Sequence, residues 1–195
     1  ANRQGRVAAE AIAGRTTRFR GVQGTAIVEV LGVTVATTGA SEKGLRRAGH
    51  TDFDVVYLHP GHHAGYYPGA RPIHLKLVYA RADGRLLGAQ AVGTDGVDKR
   101  IDVIATMIQL GGTVRDLAEA ELCYAPQFGA AKDPVNLAGM MASNALDGDM
   151  PLADWRDVRT TDVTLLDVRE PDEFAAGHVD GAINLPLSTL RARVA

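Results

Sequence analysis

Three histidines lie close together in the sequence, and imidazole is a common metal ligand in proteins. They are His59, His62 and His63, in a segment of residues 59–69 that is rich in Gly and Pro. Their spacing fits no recognised zinc pattern, and no Cys or paired carboxylate joins them locally. We therefore interpret this segment as an irregular polar loop, exposed or at an interface, that holds no metal.

The only cysteine, Cys123, is a second candidate for chemistry. A thiol becomes a nucleophile when a neighbouring group lowers its pKa. Cys123 follows the apolar end of a predicted helix and precedes an aromatic residue, with no Lys, Arg or His beside it. We predict a buried thiol with a structural role. One cysteine also excludes an internal disulfide, which is typical of a reducing compartment such as the cytoplasm.

Residues 124–136 carry more specific information. Tyr124 and Phe128 lie on a segment made rigid by Pro126, directly before a helix that Asp133 caps and Pro134 begins. Such a loop can hold a phenol and a phenyl ring at defined positions. The phenol could donate a hydrogen bond to a thiolate, an oxyanion or a flavin edge, and the neighbouring Lys132 could meet a phosphate. Ordinary packing at the start of a helix explains the same pattern equally well.

Composition excludes several classes of protein. The chain has 195 residues and a formal net charge of -2, so it has no overall positive field to hold nucleic acid or an anionic membrane. No stretch approaches the roughly 18 apolar residues of a membrane-spanning helix. There is also no secretory signal pattern. We expect neither nucleic acid nor a membrane as a partner.

Hydrophobic periodicity predicts an α+β fold, an antiparallel sheet with helices packed against it. Residues 25–40 predict one long or two consecutive strands, and residues 53–58 predict a short one. Residues 73–79 and 86–92 predict a hairpin around Asp83-Gly84. Helical spacing follows over residues 97–110, with Gly111-Gly112 as the stop signal.

After a short linker at residues 147–149 the pattern changes. Residues 163–168 and 182–185 predict strands, residues 171–176 predict a helix, and another helix begins at Ser188. This second unit predicts a parallel α/β arrangement, but residues 152–195 are too few to complete one. We expect the chain to stop inside a domain.

Several motifs of the first part resemble one family. They are Ala-Asn-Arg-Gln-Gly-Arg at residues 1–6, Tyr-Tyr-Pro-Gly at 66–69, Tyr-Ala-Pro-Gln-Phe at 124–128 and Ala-Lys-Asp-Pro-Val-Asn at 131–136. Together they resemble the carboxy-terminal part of the coenzyme A-disulfide reductases and related NADH oxidases. These are pyridine nucleotide-disulfide oxidoreductases with a single active cysteine. The resemblance covers about residues 1–146.

This resemblance implies a division into domains. Residues 1–20 correspond to a remnant of the FAD-binding domain, and residues 21–147 to the dimerisation domain of a flavoprotein disulfide reductase. The dinucleotide-binding motifs and the active cysteine of the family belong upstream, so Cys123 is not that cysteine. The fold implied is α+β, followed by an incomplete α/β rhodanese-like unit at residues 148–195.

The same resemblance implies roles for five residues. Tyr66 and Tyr124 would be catalytic, reaching across a homodimer to the partner's active cysteine and flavin. Tyr124 and Phe128 would contact the FAD cofactor. Asn2 and Lys132 would bind coenzyme A, with Lys132 meeting a phosphate. The chain departs from the family in having Pro126-Gln127 where two prolines are common before the Phe.

The second unit resembles the amino-terminal half of a rhodanese domain. The motifs are Leu-Asp-Val-Arg-Glu-Pro-Asp-Glu-Phe at residues 166–174 and Gly-His-Val-Asp-Gly-Ala-Ile-Asn-Leu-Pro at 177–186. Asp167 and Arg169 at a strand end can form a buried ion pair, and Gly177 and Gly181 allow tight turns. A rhodanese transfers sulfur through a cysteine persulfide, and that loop would follow Ala195.

The leading hypothesis is therefore a fragment of an FAD-dependent NAD(P)H:disulfide oxidoreductase with a rhodanese fusion. The resemblance implies a cytoplasmic homodimer that reduces coenzyme A disulfide, a persulfide or a polysulfide. The choices between these acceptors and oxygen, and between NADH and NADPH, stay open. Two alternatives also stay open: a catalytically inert dimerisation module, and a rhodanese-type sulfurtransferase completed downstream.

Overall fold

The protein is described by a computed structural model that covers residues 2–154, Val158 and residues 163–194. Its backbone divides into two compact units, residues 1–151 and 152–195. The predicted flavin-domain remnant begins at Ala1, and the predicted rhodanese-like unit includes residues 155–157, 159–162 and 195. These positions lie outside the described residues.

The first unit contains one antiparallel sheet of five strands, in the spatial order β1-β2-β5-β4-β3. The strands are β1 (Ala26–Val30), β2 (Val33–Gly39), β3 (Phe53–Leu58), β4 (Ile73–Ala80) and β5 (Leu86–Gly93). The run at residues 25–40 is thus two strands, joined by Leu31 and Gly32. Both of these residues have positive φ, which a two-residue hairpin with the right-handed strand twist requires.

Burial differs between the inner strands of this sheet and its β1 edge. β4 and β5, at the centre of the strand order, consist mostly of buried residues. At the edge, every residue of β1 is exposed, and Leu31 at its turn is 99% exposed. β1 is therefore held by its ladder of main-chain pairs with β2 and by little side-chain packing.

Five helices accompany the sheet in this unit. They are α1 (Asn2–Ile12), α2 (Glu42–Arg47), α3 (Val97–Leu110), α4 (Val114–Ala118) and α5 (Pro134–Leu146). Buried side chains of α3, α4 and α5 form one apolar core with those of the sheet, including Ile104, Leu117 and Val135 against Leu75 and Leu77. The predicted α+β architecture, helices on an antiparallel sheet, is confirmed. No helix within the described residues is long and apolar enough to span a bilayer.

Helix boundaries follow the capping signals in the sequence. Thr113 and Asp116 form a reciprocal capping box at the start of α4, and Gly111 ends α3 in the left-handed conformation. Asp133 accepts a hydrogen bond from the Val135 amide, with Pro134 as the first helical residue of α5. These boundaries matter for function because α4 and α5 flank the aromatic segment at residues 119–132.

α5 crosses α4 closely at Gly139. A Cβ atom at this position would lie 2.7 Å from the Leu117 carbonyl carbon and closer still to the Ala118 nitrogen. Both neighbours are main-chain atoms, so they cannot turn aside. The close approach therefore requires glycine.

We expect Gly139→Ala to lower the free energy of unfolding by about 1–3 kcal/mol, because α4 and α5 must separate to admit the methyl group. Urea unfolding followed by circular dichroism measures this change. Gly5→Ala in α1 is the matched control, since a Cβ at Gly5 meets nothing within 4 Å and alanine favours helix. Equal stability of Gly139→Ala and the parent protein would show that the helices separate without cost.

The second unit is small. It pairs β6 (Leu166–Asp167) in parallel with β7 (Ile183–Asn184) and adds α6 (Pro171–Ala176) and α7 (Leu187–Val194). The strands predicted at residues 163–168 and 182–185 shrink to two residues each. Long parallel strands occur mainly in sheets whose faces are covered by helices and whose edges pair with further strands. Within the described part of the chain, β6 and β7 pair only with each other, so both strands are short.

An ion pair lies at the end of β6. The Arg169 Nη2 atom is 2.6 Å from Asp167 Oδ2 and 2.8 Å from the Gly177 carbonyl oxygen. Its hydrogen bonds hold the pKa of Asp167 below the usual value. The predicted contact is present, but the prediction that it is buried is wrong: the Arg169 side chain is 45% exposed.

Candidate functional site

Two tyrosines meet through their hydroxyl groups on the surface of the first unit. The Tyr66 and Tyr124 oxygens are 3.0 Å apart, and either can donate the hydrogen bond. The residues are 77% and 49% exposed. This hydrogen bond raises the pKa of the Tyr124 phenol above its ordinary value. Tyr124 therefore presents a protonated phenol to solvent at neutral pH.

The tyrosines come from two segments that lie far apart in the chain. Tyr66 belongs to residues 59–72, between β3 and β4, and Tyr124 to residues 119–133, between α4 and α5. We call these segments the first and second tyrosine loops. Their main chains are joined directly, because the Ala64 amide donates to the Gly129 carbonyl oxygen at 2.9 Å.

The second tyrosine loop makes its own turn before it reaches α5. The amides of Phe128 and Gly129 both donate to the Ala125 carbonyl oxygen, at 2.8 and 3.1 Å. This turn leaves the Phe128 ring 66% exposed. Phe128 is thus held outside the core on a closed main-chain turn that directly follows Tyr124.

A buried arginine, Arg100 of α3, lies beneath both loops. It is 1% exposed and donates to Asp133 from Nε and Nη2, at 3.2 and 2.8 Å. The same guanidinium donates to the His62 carbonyl oxygen at 2.6 Å and to the Gly96 carbonyl oxygen at 3.1 Å. One side chain therefore binds the first tyrosine loop, the end of the second, and the start of its own helix.

Asp133 completes this arrangement from the other side. It is 4% exposed, and its Oδ1 atom accepts hydrogen bonds from both Arg100 Nε and the Val135 amide. A buried charge of this kind is tolerated only when it is paired and hydrogen-bonded. The Asp133 carboxylate therefore caps α5 and also forms the ion pair with α3.

Asn136 fixes the beginning of the second tyrosine loop. Its amide nitrogen donates to the carbonyl oxygens of Leu117, Ala118 and Ala120, at 3.2, 3.3 and 2.8 Å. The Leu117 and Ala118 carbonyls belong to the last turn of α4, where regular helical partners run out, and the Leu117 oxygen also accepts from the Ala120 amide at 3.4 Å. An open cleft of about 260 Å³ lies beside this contact, lined by residues that include Cys123, Tyr124 and Met140.

Cys123 lies on the wall of this cleft and is exposed. The prediction of a buried thiol is therefore wrong for this chain. α4 ends at Ala118, so the apolar residues before Cys123 already lie in the second tyrosine loop. Leu122 still packs against the core, whereas Cys123 is exposed. The helical pattern that suggested burial does not extend to that position.

The remaining candidates occupy two places. Lys132 is exposed at the end of the second tyrosine loop, directly before the buried Asp133, so it shares a segment with Tyr124 and Phe128. Asn2 is exposed at the start of α1, a separate element. The structure thus brings Tyr66 and Tyr124 into contact and places Phe128 and Lys132 on the same loop as Tyr124.

The histidines of the first tyrosine loop have different neighbours. His59 Nδ1 lies 2.8 Å from the same atom of His74, whereas His62 Nδ1 accepts from the Arg71 amide at 3.0 Å. His63 is buried, with its ring edge-on to Tyr67, so the expected exposure fails for this residue. Among the described residues, no three His, Cys, Asp or Glu side chains are grouped as a metal site.

Arg100 and Asn136 were not assigned a role from the sequence. Arg100 is three residues after Val97 and one before Ile101, on the apolar face of α3. A charge on such a face signals a buried partner, because an unpaired one would be costly. Asn136 belonged to a conspicuous motif, but its contacts with the end of α4 are set by tertiary packing.

Comparison with known protein families gives two matches. Residues 25–134 match the pyridine nucleotide-disulphide oxidoreductase dimerisation domain. Residues 153–194 match the rhodanese-like domain. The two matches occur in this order along the chain and fall in the two compact units.

Known proteins resemble the chain over most of its length. The coenzyme A disulfide reductase of Staphylococcus epidermidis RP62A is 38% identical over 143 residues, which is 73% of this chain and 32% of that protein. Reduced CoADR-RHD of Bacillus anthracis aligns with a TM-score of 0.94 at 46% identity, over 99% of this chain and 35% of that one.

A third similar protein is a NAD-dependent persulfide reductase from A. fulgidus. It aligns with a TM-score of 0.88 at 38% identity, and the alignment covers 99% of this chain and 35% of that one. This chain therefore spans about a third of the length of the relatives that it matches.

Proposed function

Because the chain belongs to the pyridine nucleotide-disulphide oxidoreductase family, we propose that it is the carboxy-terminal part of an FAD-dependent NAD(P)H:disulfide oxidoreductase. Its substrate is coenzyme A disulfide, a persulfide or a polysulfide. The observation that carries this proposal is the exposed pair of hydroxyls of Tyr66 and Tyr124, 3.0 Å apart.

A pair of phenols suits the chemistry of disulfide reduction. Cleavage of an S–S bond by two electrons leaves two sulfur atoms that carry negative charge until they are protonated. A phenol can donate a hydrogen bond to such a thiolate without ionising, and fixed donors stabilise developing charge most effectively. The raised pKa of Tyr124 keeps its hydrogen in place for this task.

The reaction balances with one reduced nicotinamide for each disulfide. NAD(P)H, a proton and R–S–S–R′ give NAD(P)⁺, RSH and R′SH, so two electrons enter and one S–S bond breaks. With a persulfide, the products are a thiol and hydrogen sulfide. FAD, when bound, supplies the route for these two electrons from the nicotinamide to sulfur.

The donor set of the second tyrosine loop fits a flavin. Tyr124 offers a hydroxyl, and the exposed Phe128 ring, on the closed turn that directly follows it, offers an apolar surface. We propose that these two residues face the flavin, and that the loops do so across a homodimer. The match of residues 25–134 to a dimerisation domain supports this assembly.

The rhodanese-like unit supports the proposal that sulfur is delivered as a persulfide. The match of residues 153–194 and the similarity to a persulfide reductase both favour this substrate class. The similarity to coenzyme A disulfide reductases favours the disulfide. Coenzyme A persulfide combines both features, since it joins a coenzyme A moiety to a terminal sulfur.

The direct test uses the full-length protein that contains this chain. We expect the purified protein to show the visible absorbance of an oxidised flavin and to oxidise NAD(P)H only when a disulfide or persulfide is added. Hydrogen sulfide release distinguishes persulfide from disulfide. A colourless protein without this oxidation, but still dimeric, would support an inert dimerisation module.

Lys132 provides a test of coenzyme A recognition. We expect Lys132→Ala to raise KM for coenzyme A disulfide about fivefold, since an exposed charge contact contributes about 1 kcal/mol or less. The increase should shrink in high salt, which screens exposed charges. Lys132→Arg is the matched control, because it retains the charge. A change confined to KM for NAD(P)H would contradict this assignment.

A further inference from the structure

One side chain joins the parts of the molecule that carry Tyr66 and Tyr124. Arg100 binds the His62 carbonyl oxygen in the first tyrosine loop and the Asp133 carboxylate at the end of the second. The His62 contact precedes Tyr66 by four residues, and Asp133 follows Tyr124 by nine. The hydrogen bond from the Ala64 amide to the Gly129 carbonyl oxygen and the contact between the two tyrosine hydroxyls also cross between the loops.

The geometry requires a guanidinium at this position. Arg100 donates to acceptors in three directions: the Gly96 carbonyl oxygen from Nη1, the His62 carbonyl oxygen from Nη2, and Asp133 from Nε and Nη2. A rigid planar fork can meet such divergent acceptors at once, whereas the single ammonium of lysine cannot. The group is also 1% exposed, so water does not replace a lost partner.

Two glycines border the guanidinium, and of these only Gly96 leaves no room for a side chain. A Cβ at Gly96 would meet Arg100 Nη1, and a Cβ at Gly129 would lie 4.0 Å from Nη2 and 3.5 Å from Asp133 Oδ2. Gly129 is also the residue whose carbonyl oxygen receives the Ala64 amide. The Arg100 contacts and the Ala64–Gly129 hydrogen bond are therefore adjacent and belong to one packed unit.

From this geometry we propose that Arg100 is a positioning residue for the phenol pair. It sets the relative placement of the two tyrosine loops, and thereby the separation of the Tyr66 and Tyr124 hydroxyls. It acts through the loops and does not contact the substrate. The inference rests on the proposed function, since it assigns Arg100 a part in the same site.

A purely structural arginine would affect folding alone, so the test needs a direct readout of the phenols. We would label tyrosine with ¹³C at the ring carbon that bears the hydroxyl, and follow the ionisation of Tyr66 and Tyr124 by NMR. The protein is the full-length enzyme as isolated, with resonances assigned through Tyr66→Phe and Tyr124→Phe. Steady-state kinetics with coenzyme A disulfide supply the second readout.

Three variants separate the possibilities. Arg100→Met keeps the length of the side chain and removes every donor, and Arg100→Lys keeps the charge but not the fork. Arg81→Met is the matched control, because Arg81 makes a two-point contact with Asp54 at 3.0 and 2.8 Å on the exposed surface, away from the loops.

In folded Arg100→Met we expect the Tyr124 ionisation midpoint to fall toward that of free tyrosine, because its hydroxyl partner is displaced. We also expect kcat to fall at least tenfold with KM changed less than threefold, given that about 1 Å of misplacement is known to cost up to a hundredfold in rate. For Arg100→Lys, the Tyr124 midpoint and kcat should lie between those of Arg100→Met and the parent enzyme. For Arg81→Met, both should match the parent enzyme.

An unchanged Tyr124 midpoint in folded Arg100→Met would overturn the inference, even if the rate fell. A shifted midpoint with normal turnover would support the positioning role and would count against the proposed function instead. If Arg100→Met does not fold, Asp133→Asn replaces it, since Asn retains the helix cap and loses the charge. An unchanged Tyr124 midpoint in that variant would likewise overturn the inference.

Discussion

Replacing Tyr124 by Phe in the full-length protein is expected to lower kcat for disulfide reduction by about a hundredfold, while FAD stays bound. The variant deletes one hydroxyl and leaves the ring in place before the closed turn. Loss of a fixed donor to a developing anion typically costs about 10²–10³ in kcat. Stopped-flow measurement of NAD(P)H oxidation, beside the flavin absorbance of the same sample, separates the two effects.

Tyr57→Phe is the control for this substitution. Tyr57 is a half-exposed tyrosine of β3 whose hydroxyl donates to Glu42, outside both tyrosine loops. It should retain full turnover. Tyr66→Phe should lower kcat about as much as Tyr124→Phe does. In the double variant, the fold decrease in kcat should be smaller than the product of the two single decreases, because the hydroxyls are partners of one another. Full turnover in Tyr124→Phe would disprove the donor role.

Replacing Asp133 by Ala is expected to lower the free energy of unfolding by about 3–5 kcal/mol. Removal of one partner leaves the other buried charge uncompensated, which is the costly way to break a buried ion pair. The substitution also removes the cap of α5. Urea denaturation of the parent protein and the variant, at equal protein concentration, measures the difference.

The exposed pair of Arg81 and Asp54 again serves for comparison. Asp54→Ala breaks an arginine–carboxylate contact of similar length, but both side chains are at least 39% exposed. Such pairs contribute about 0–1 kcal/mol. If Asp133→Ala were no more destabilising than Asp54→Ala, the Arg100–Asp133 pair would not stabilise the loops as the geometry indicates.

Local signals in the sequence predicted most of the first unit. Thr113 with Asp116 marked α4, Asp133 with Pro134 marked α5, and Asp83-Gly84 marked the central hairpin, and each is where its capping or turn chemistry requires. These interactions are made within a few residues of chain. The strand lengths of the second unit were predicted less accurately, because its short parallel strands depend on neighbours distant in sequence.

The tyrosines themselves were identified through motifs, but their contact was not predicted. Tyr66 and Tyr124 are 58 residues apart, and nothing local to either specifies the other. The connecting side chain, Arg100, lies on α3, in neither motif. Cys123 shows the opposite error, since a local apolar pattern suggested burial where the chain has left the core. Long-range packing decides both cases.

The exposed edge strand β1 makes the stability of the sheet uneven. Its only neighbour in the strand order is β2, and its side chains add little burial, so opening β1 exposes almost no apolar core. β4, which carries the most buried residues, can open only when that core is lost. Amide hydrogen exchange should therefore proceed in β1 by local opening and in β4 by global unfolding. The loops that carry the hydroxyl pair are bound to α3 and α5 through Arg100 and Asp133, and both helices share the apolar core with β4. We therefore expect the pair to keep its geometry while β1 opens.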